Sequence, residues 1–401
     1  MNPLRDAFVL LVDLGVVVVA ARSGGAVARR IGQPAVVGEV GAGILLGPTL
    51  LGAFSAQSVE DLRPFGTAGV VAFAFLVGLQ LDHARLPALR AVSAIAASSF
   101  ALPFCGGLAV AAALAEPARG RPLGFFLFVA AAMSITAFPV LVRILDESGL
   151  RSTPTGALAV ACAVVNDVLG WLALACALFV FRAEGRWWTL PLGLSETAAF
   201  VIVLTRIVGP ALRLSSRRGT TPFLACSLCG LAGSAALTDA IGLHAIVGAF
   251  AFGAVARRST DAAAHATLAA TARPVAKVLL PVYLVLPGLG VDLRMLGSGG
   301  TGMTAVIIGV ASIGKVAGAY GAARLFGTAR REAVKLGMLM NTRGLMELIA
   351  LNIGLSVGVI DGRLYGMFLI MALVTTAATG PALRLLAWLG RDAPAASPAA
   401  G

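Results

Sequence analysis

The sequence predicts an all-helical polytopic membrane protein of about thirteen apolar spans, arranged as an inverted repeat with two discontinuous helices. Three observations predict it. The chain of 401 residues is 58% hydrophobic and 12% charged, against about 25% charged in an ordinary soluble domain. Its apolar stretches run on without the two-residue alternation of a membrane β-barrel. Short glycine-bearing stretches recur in the two halves at positions that force opposite crossing senses. The net charge of +12 lies in loops between apolar runs, so it reads as an orientation signal and not as a nucleic-acid surface.

The apolar segments lie at about 7–22, 36–54, 67–81, 92–115, 123–145, 155–181, 190–211, 222–238, 241–257, 275–291, 302–326, 333–358 and 364–389. The first carries Asp13 and shows no small-residue cleavage site, so no removable signal is expected. Glu39, near the start of the second, is read as interfacial. In that segment Gly43-Ile44-Leu45-Leu46-Gly47 is echoed by Ala249-Phe250-Ala251-Phe252-Gly253 in the ninth. The third closes on Gly78-Leu79-Gln80-Leu81-Asp82 and the tenth on Gly288-Leu289-Gly290-Val291-Asp292. An odd number of segments separates the copies in each pair.

The fifth segment holds Met133-Ser134-Ile135-Thr136-Ala137-Phe138-Pro139, where proline removes a backbone donor and clashes one turn back. The sixth holds Asn166-Asp167. A carboxylate at mid-membrane costs about 2.5–3.5 kcal/mol on insertion scales, so a cation or proton site is the favoured reading over an acid retained for fold specificity. In the eighth, Cys226-Ser227-Leu228-Cys229 has no companion pair and reads as small helix residues rather than a metal or redox site. Asp239 and His244 flank the ninth, and a lone histidine there reads as structural. Lys315, within the eleventh, needs a counter-ion, water or a broken-helix carbonyl.

The twelfth segment holds Asn341-Thr342-Arg343-Gly344-Leu345-Met346-Glu347, where Gly344 beside Asn341 and Thr342 weakens the helix. Arg343 and Glu347 are spaced to pair along one helix face, as packing glue or as part of a cation site. Asn352 below them fits either role. Segments five and twelve are thus read as helices broken at mid-membrane, tolerated only beside protein or a watery cavity. Residues 392–401 read as a disordered tail. Arg29, Arg30, Arg217, Arg218, Arg257, Arg258, Arg330, Arg331 and Lys335 all fall in odd-numbered loops. This puts those loops and the C-terminus in the cytoplasm and the N-terminus outside. No HExxH, GxSxG or P-loop stands in a suitable setting, and only Asp167 qualifies for a two-aspartate protease site. An enzyme is therefore not expected, nor a cofactor, nor any metal beyond a transported monovalent cation.

At these residues the chain resembles the second family of monovalent cation:proton antiporters, closest to the plant exchanger branch. The matching stretches are Gln33-Pro34-Ala35-Val36-Val37-Gly38-Glu39 with Gly43–Pro48, Ser134–Leu141, Val165-Asn166-Asp167-Val168, Gly242–Phe250 and Met340–Leu348. The resemblance implies the sodium/proton antiporter fold as a single transmembrane domain over 1–391, with two crossing discontinuous helices and core helices at about 92–181 and 302–389. It implies dimerisation or scaffold helices at about 7–81 and 222–291, a linker helix at about 190–211, a homodimer and elevator-like alternating access. It also implies that Asp167 binds the cation (Na⁺ or K⁺) or the proton, with Asn166, Thr136 and Ser134. Lys315, Asn341, Thr342, Arg343 and Glu347 then support the site or balance its charge. Electrogenic members carry two adjacent aspartates. Here Asn166 precedes Asp167, so one titrating carboxylate implies an electroneutral cycle. The rival is a second proton released by Lys315. A gated K⁺ efflux pathway, and a non-transporting enzyme or sensor on the same scaffold, remain the alternative functions. The expected location is a bacterial-type plasma membrane. The absence of a nucleotide-binding tail argues against gating by that route.

Overall fold

In the computed structural model the described residues are 3–80, 89–114, 122–182, 189–241 and 245–388, and every regular element among them is helical. Leu81, Asp82, the Gly242–His244 stretch and the 392–401 tail lie outside them. The helices are α1 (Pro3–Arg30), α2 (Ala35–Leu46), α3 (Ala56–Leu79), α4 (Leu89–Leu114), α5 (Pro122–Ser134), α6 (Phe138–Glu147), α7 (Pro154–Arg182) and α8 (Thr189–Val203). After a π-helical turn at Leu204–Val208 come α9 (Gly209–Arg218), α10 (Thr220–Ala240), α11 (Ala245–Ser259) and α12 (Ala262–Leu289). A 3₁₀ turn at Leu293–Leu296 then leads to α13 (Gly297–Leu325), α14 (Arg330–Met340), α15 (Leu345–Val357) and α16 (Gly362–Trp388). Among the described residues nine helices are long and apolar enough to cross a bilayer, and three shorter ones are apolar as well.

Several helices outrun the apolar segments that announce them. Helix α3 begins well before residue 67, because Ser55 Oγ accepts the Ser58 N–H at 3.0 Å and caps its first turn. Helix α12 begins at Ala262 and not near 275, because Asp261 Oδ1 accepts the Ala264 N–H at 2.8 Å. Hydropathy marks the stretch that suits lipid; a cap side chain sets where the helix starts.

The halves pack as two interleaved copies. Helix α2 lies so close to α12 that a Cβ on Gly43 would strike the Val285 carbonyl, and one on Gly47 the Gly288 carbonyl. Helix α3 meets α11 in the same way, Gly78 against the Phe250 carbonyl and Gly253. These are the four stretches paired by the sequence echo. Exchanging the second segment with the ninth and the third with the tenth turns one contact into the other, as an inverted repeat requires. Helices α4 and α13 also cross backbone to backbone, Gly314 against Pro103 and Gly318 against the Ser98 carbonyl. The largest hydrophobic cluster ties α5–α7 to α13–α16 through Phe128, Met133, Leu141 and Phe368, all fully buried.

Candidate functional site

Two interruptions meet at the centre of this cluster. Helix α5 ends at Ser134 and α6 starts at Phe138, with Ile135-Thr136-Ala137 between them in no regular structure. Helix α14 ends at Met340 and α15 starts at Leu345. Gly344 has φ +153°, a conformation that side-chain-bearing residues rarely adopt, and a Cβ there would sit 2.9 Å from Val140 Cγ2. The two breaks bond to each other. The Ala137 N–H donates to the Thr342 carbonyl at 3.0 Å, and Thr136 Oγ1 donates to the Met340 carbonyl at 3.1 Å. Thr376 of α16 holds the second break from its far side. Its hydroxyl accepts the Arg343 N–H at 3.0 Å and donates to the Arg343 carbonyl at 2.7 Å.

A helix ending inside the membrane leaves its last carbonyls unpaired and its negative pole uncovered. At α5 two cations cover them. Arg343 Nη1 donates to the Ala132 carbonyl at 3.0 Å, Arg343 Nη2 to the Met133 carbonyl, and Lys315 Nζ to the Ser134 carbonyl. At the start of α6 the poles are reversed, and there the Asp167 carboxylate accepts the Phe138 N–H. Each charge thus faces the helix end of opposite polarity.

Asp167 is 3% exposed, and its Oδ1 has no hydrogen-bond partner among the described residues. It borders a cavity of about 10 Å³ with Phe73 and Val77 of α3, Phe250 of α11, Trp171 of α7 and Met346 of α15. That is room for about one water molecule. Asn341 Oδ1 and Thr342 Oγ1 are buried and likewise without a partner, although Asn341 Nδ2 reaches Ser312 Oγ at 3.4 Å.

Asn166 faces elsewhere. Its Oδ1 accepts from Lys315 Nζ at 3.1 Å, and its Nδ2 reaches the Ala96 carbonyl, Ser99 Oγ and the Cys162 carbonyl at 3.2–3.3 Å. Lys315 lies 5.9 Å from the centre of the Phe100 ring and, as the sequence suggests, rests on a broken-helix carbonyl. Ser134 Oγ is spent on its own helix, donating to the Ala130 carbonyl at 2.8 Å. Glu347 pairs with Arg343 at 3.5 Å with both side chains fully buried, too long for a hydrogen bond. Asn352 stands away from the breaks, donating to Tyr283 OH at 3.3 Å and accepting from Tyr365 OH at 3.1 Å.

The breaks therefore gather Ser134, Thr136, Asn166, Asp167, Lys315, Asn341, Thr342, Arg343 and Glu347. Three partners escaped the sequence reading. Ser99 and Thr376 are small hydroxyl residues inside long apolar runs, and Ser98-Ser99 and Thr375-Thr376 were the available signal. The third, the Phe138 N–H, is backbone and gives no signal of its own. Chemically, a desolvated carboxylate oxygen lacking a partner suits a proton or one small monovalent cation.

The family model described as sodium/hydrogen exchanger, transmembrane, matches residues 17–389. A Na⁺/H⁺ antiporter of Synechocystis is 36% identical over 397 residues, covering 93% of this chain and 95% of that one. Cation/H⁺ antiporter 20 of Arabidopsis thaliana is 34% identical over 95% of this chain, which spans about half (49%) of that relative's length. Among solved structures, the sodium proton antiporter MjNhaP1 of Methanocaldococcus jannaschii superposes with a TM-score of 0.64 at 16% identity, covering 96% of this chain and 98% of that one. That likeness bears on the fold alone.

Proposed function

The chain belongs to the sodium/hydrogen exchanger family, a family of membrane antiporters, and on that premise we propose that it exchanges one monovalent cation, Na⁺ or K⁺, for one proton at Asp167. The observation that carries this reading is Asp167 Oδ1, buried and without a partner where two half-helix ends meet. A proton and a cation are the two ligands that can neutralise it, and they exclude each other. Binding either gives the same charge, so the loaded carrier crosses the barrier equally well in both forms. The empty form, with a bare carboxylate, is the costly one to move through the membrane. Obligatory exchange follows from that cost.

The remaining groups have supporting roles in this reading. The α6 N-terminus positions the carboxylate through the Phe138 N–H. Arg343 and Lys315 hold the carbonyl end of α5. Asn166 serves by holding Lys315, and Asn341 and Thr342 offer oxygens to the cation. The unit that moves comprises α4–α7 and α13–α16, sliding as an elevator against a dimer-forming scaffold of α1–α3 and α10–α12, with α8 and α9 as the link. Asp167 borders residues of both groups, which supports access that alternates at their boundary. The cycle is electroneutral, since Asn166 cannot titrate. The odd-numbered loops and the C-terminus face the cytoplasm of a bacterial-type cell.

Purified protein in liposomes tests the proposal. Addition of Na⁺ or K⁺ should drive proton efflux from the wild type, and Asp167→Asn should abolish it while elution and helical content stay unchanged. Undiminished flux in that variant would remove Asp167 from the mechanism.

A further inference from the structure

At the end of the molecule that carries most of the basic loops there is a cavity of about 530 Å³. The end of α1 and the turn after it (Arg29, Gly32, Pro34) wall one side of it, and residues of or just after α6, with α14 and α16, the other. Its volume falls in the range of small-molecule sites, roughly 300–1,000 Å³. Arg29, Lys335 and Arg384 line it together with Ser148, and none of the described residues lining it is acidic. A lining of this charge favours an anion over a cation.

The three cations differ in how they are engaged. Lys335 is paired with Glu332 at 2.7 Å, and Glu332 also accepts from Thr155. Arg29 and Arg384 make no salt bridge among the described residues and are exposed. They come from the last turn of α1 and from the far end of α16. The Arg384 guanidinium lies over Gly32, where a Cβ would come within 2.6 Å of Nη1 and φ is +71°. That glycine lets the guanidinium sit against the cavity wall. Pro34 lines the same wall and precedes α2, whose first turn receives no side-chain cap. An uncapped helix start presents N–H groups and a positive pole, a second feature suited to an anion. Scattered basic residues satisfy the positive-inside rule by facing water. Here two guanidinium groups with no ion pair among the described residues, and the turn that leads into a helix start, line one half-open pocket, and basic pockets of this kind between helices at the cytoplasmic face recognise phosphate headgroups.

We propose that this cavity binds a phosphate-bearing anion held by Arg29 and Arg384, either the headgroup of an anionic phospholipid or a soluble phosphate compound. The proposal is independent of the exchange activity, and its test reads binding. The full-length protein in a neutral detergent is titrated with phosphatidylglycerol, with phosphatidylcholine, and separately with inorganic phosphate and ADP, following the thermal midpoint and, by native mass spectrometry, the retained adduct. At least one phosphate-bearing anion should raise the midpoint and phosphatidylcholine should not. A response to phosphatidylglycerol alone assigns a lipid; competition by phosphate or ADP assigns a soluble ligand. Arg29→Gln with Arg384→Gln should weaken binding by about fivefold for each charge removed. Ser148→Trp, which fills the cavity and keeps its charge, should block binding as well. Equal affinity in the wild type and in both variants, or no response to any of the anions, overturns the proposal.

Discussion

Lys315 lies where no described carboxylate touches it. It is fully buried and held by the Ser134 carbonyl, Asn166 Oδ1 and the face of Phe100. If it keeps its proton throughout, one positive charge moves each way and the exchange rate is indifferent to membrane potential. A second proton released from it would couple the cycle to voltage at about 2.3 kcal/mol per 100 mV for each net charge. Liposomes clamped with valinomycin, with Na⁺ or Li⁺ as the exchanged ion, separate the two. The expected result is one rate and one end-point at every clamped voltage. Thr376 supports a second expectation. Thr376→Val strands both the N–H and the carbonyl of Arg343, each worth about 1–3 kcal/mol when buried without a partner. The thermal midpoint should fall by several degrees, and Thr376→Ser should restore it.

Among the elements, the two interruptions are related as the halves are. In the first repeat the helix after the break, α7, brings Asp167 to the N–H that opens α6. In the second, the helix after the break, α16, brings Thr376 to the Arg343 N–H beside the start of α15. The same backbone task falls to a carboxylate in one half and a hydroxyl in the other, so at these two equivalent positions only one half has a group that can titrate. Position 344 belongs to this scale as well. Gly344→Ala forces a left-handed conformation on a residue with a side chain and pushes it against Val140. Cation-driven flux should fall at least tenfold with the protein still inserted, and flux near the wild-type level would show that the break tolerates a shift. Thr136→Val should raise the cation concentration for half-maximal flux, because it frees the Met340 carbonyl and loosens the crossing; a change in yield alone would speak for packing.

Over the whole molecule, much was legible in the sequence for physical reasons. Lipid demands long apolar runs, so segment positions stand out. A proline and a glycine in polar company at corresponding places marked both breaks. Asp167 could be singled out because a mid-membrane acid is costly. The task of each polar neighbour was not legible. Nothing in the linear order says that Asn166 turns to Lys315 while Asp167 turns to α6, because that depends on which face of α7 meets α4 and which meets the break. Helix starts were misjudged where a cap lies beyond the apolar run, as at Ser55 and Asp261. The inverted repeat also makes a prediction for the chain as a whole. Gly219, between α9 and α10, has φ +121° and lies at a surface turn. Chains divided there should assemble when the two pieces are made together, and each should be degraded when made alone. Persistence of either piece by itself would mean that the halves do not need each other.

That dependence has a duration. Thr136 and its acceptor at Met340 are 204 residues apart. At about 5–20 residues per second, a ribosome needs roughly 10–40 s to reach the second partner after making the first. For that interval the carbonyls of Ala132, Met133 and Ser134 wait in the bilayer for Arg343 and Lys315, which do not yet exist. The nascent first half should therefore be open to membrane quality control, its survival set by elongation against proteolysis. Slower codons placed between residues 219 and 342 should lower the yield of mature protein without changing a single amino acid.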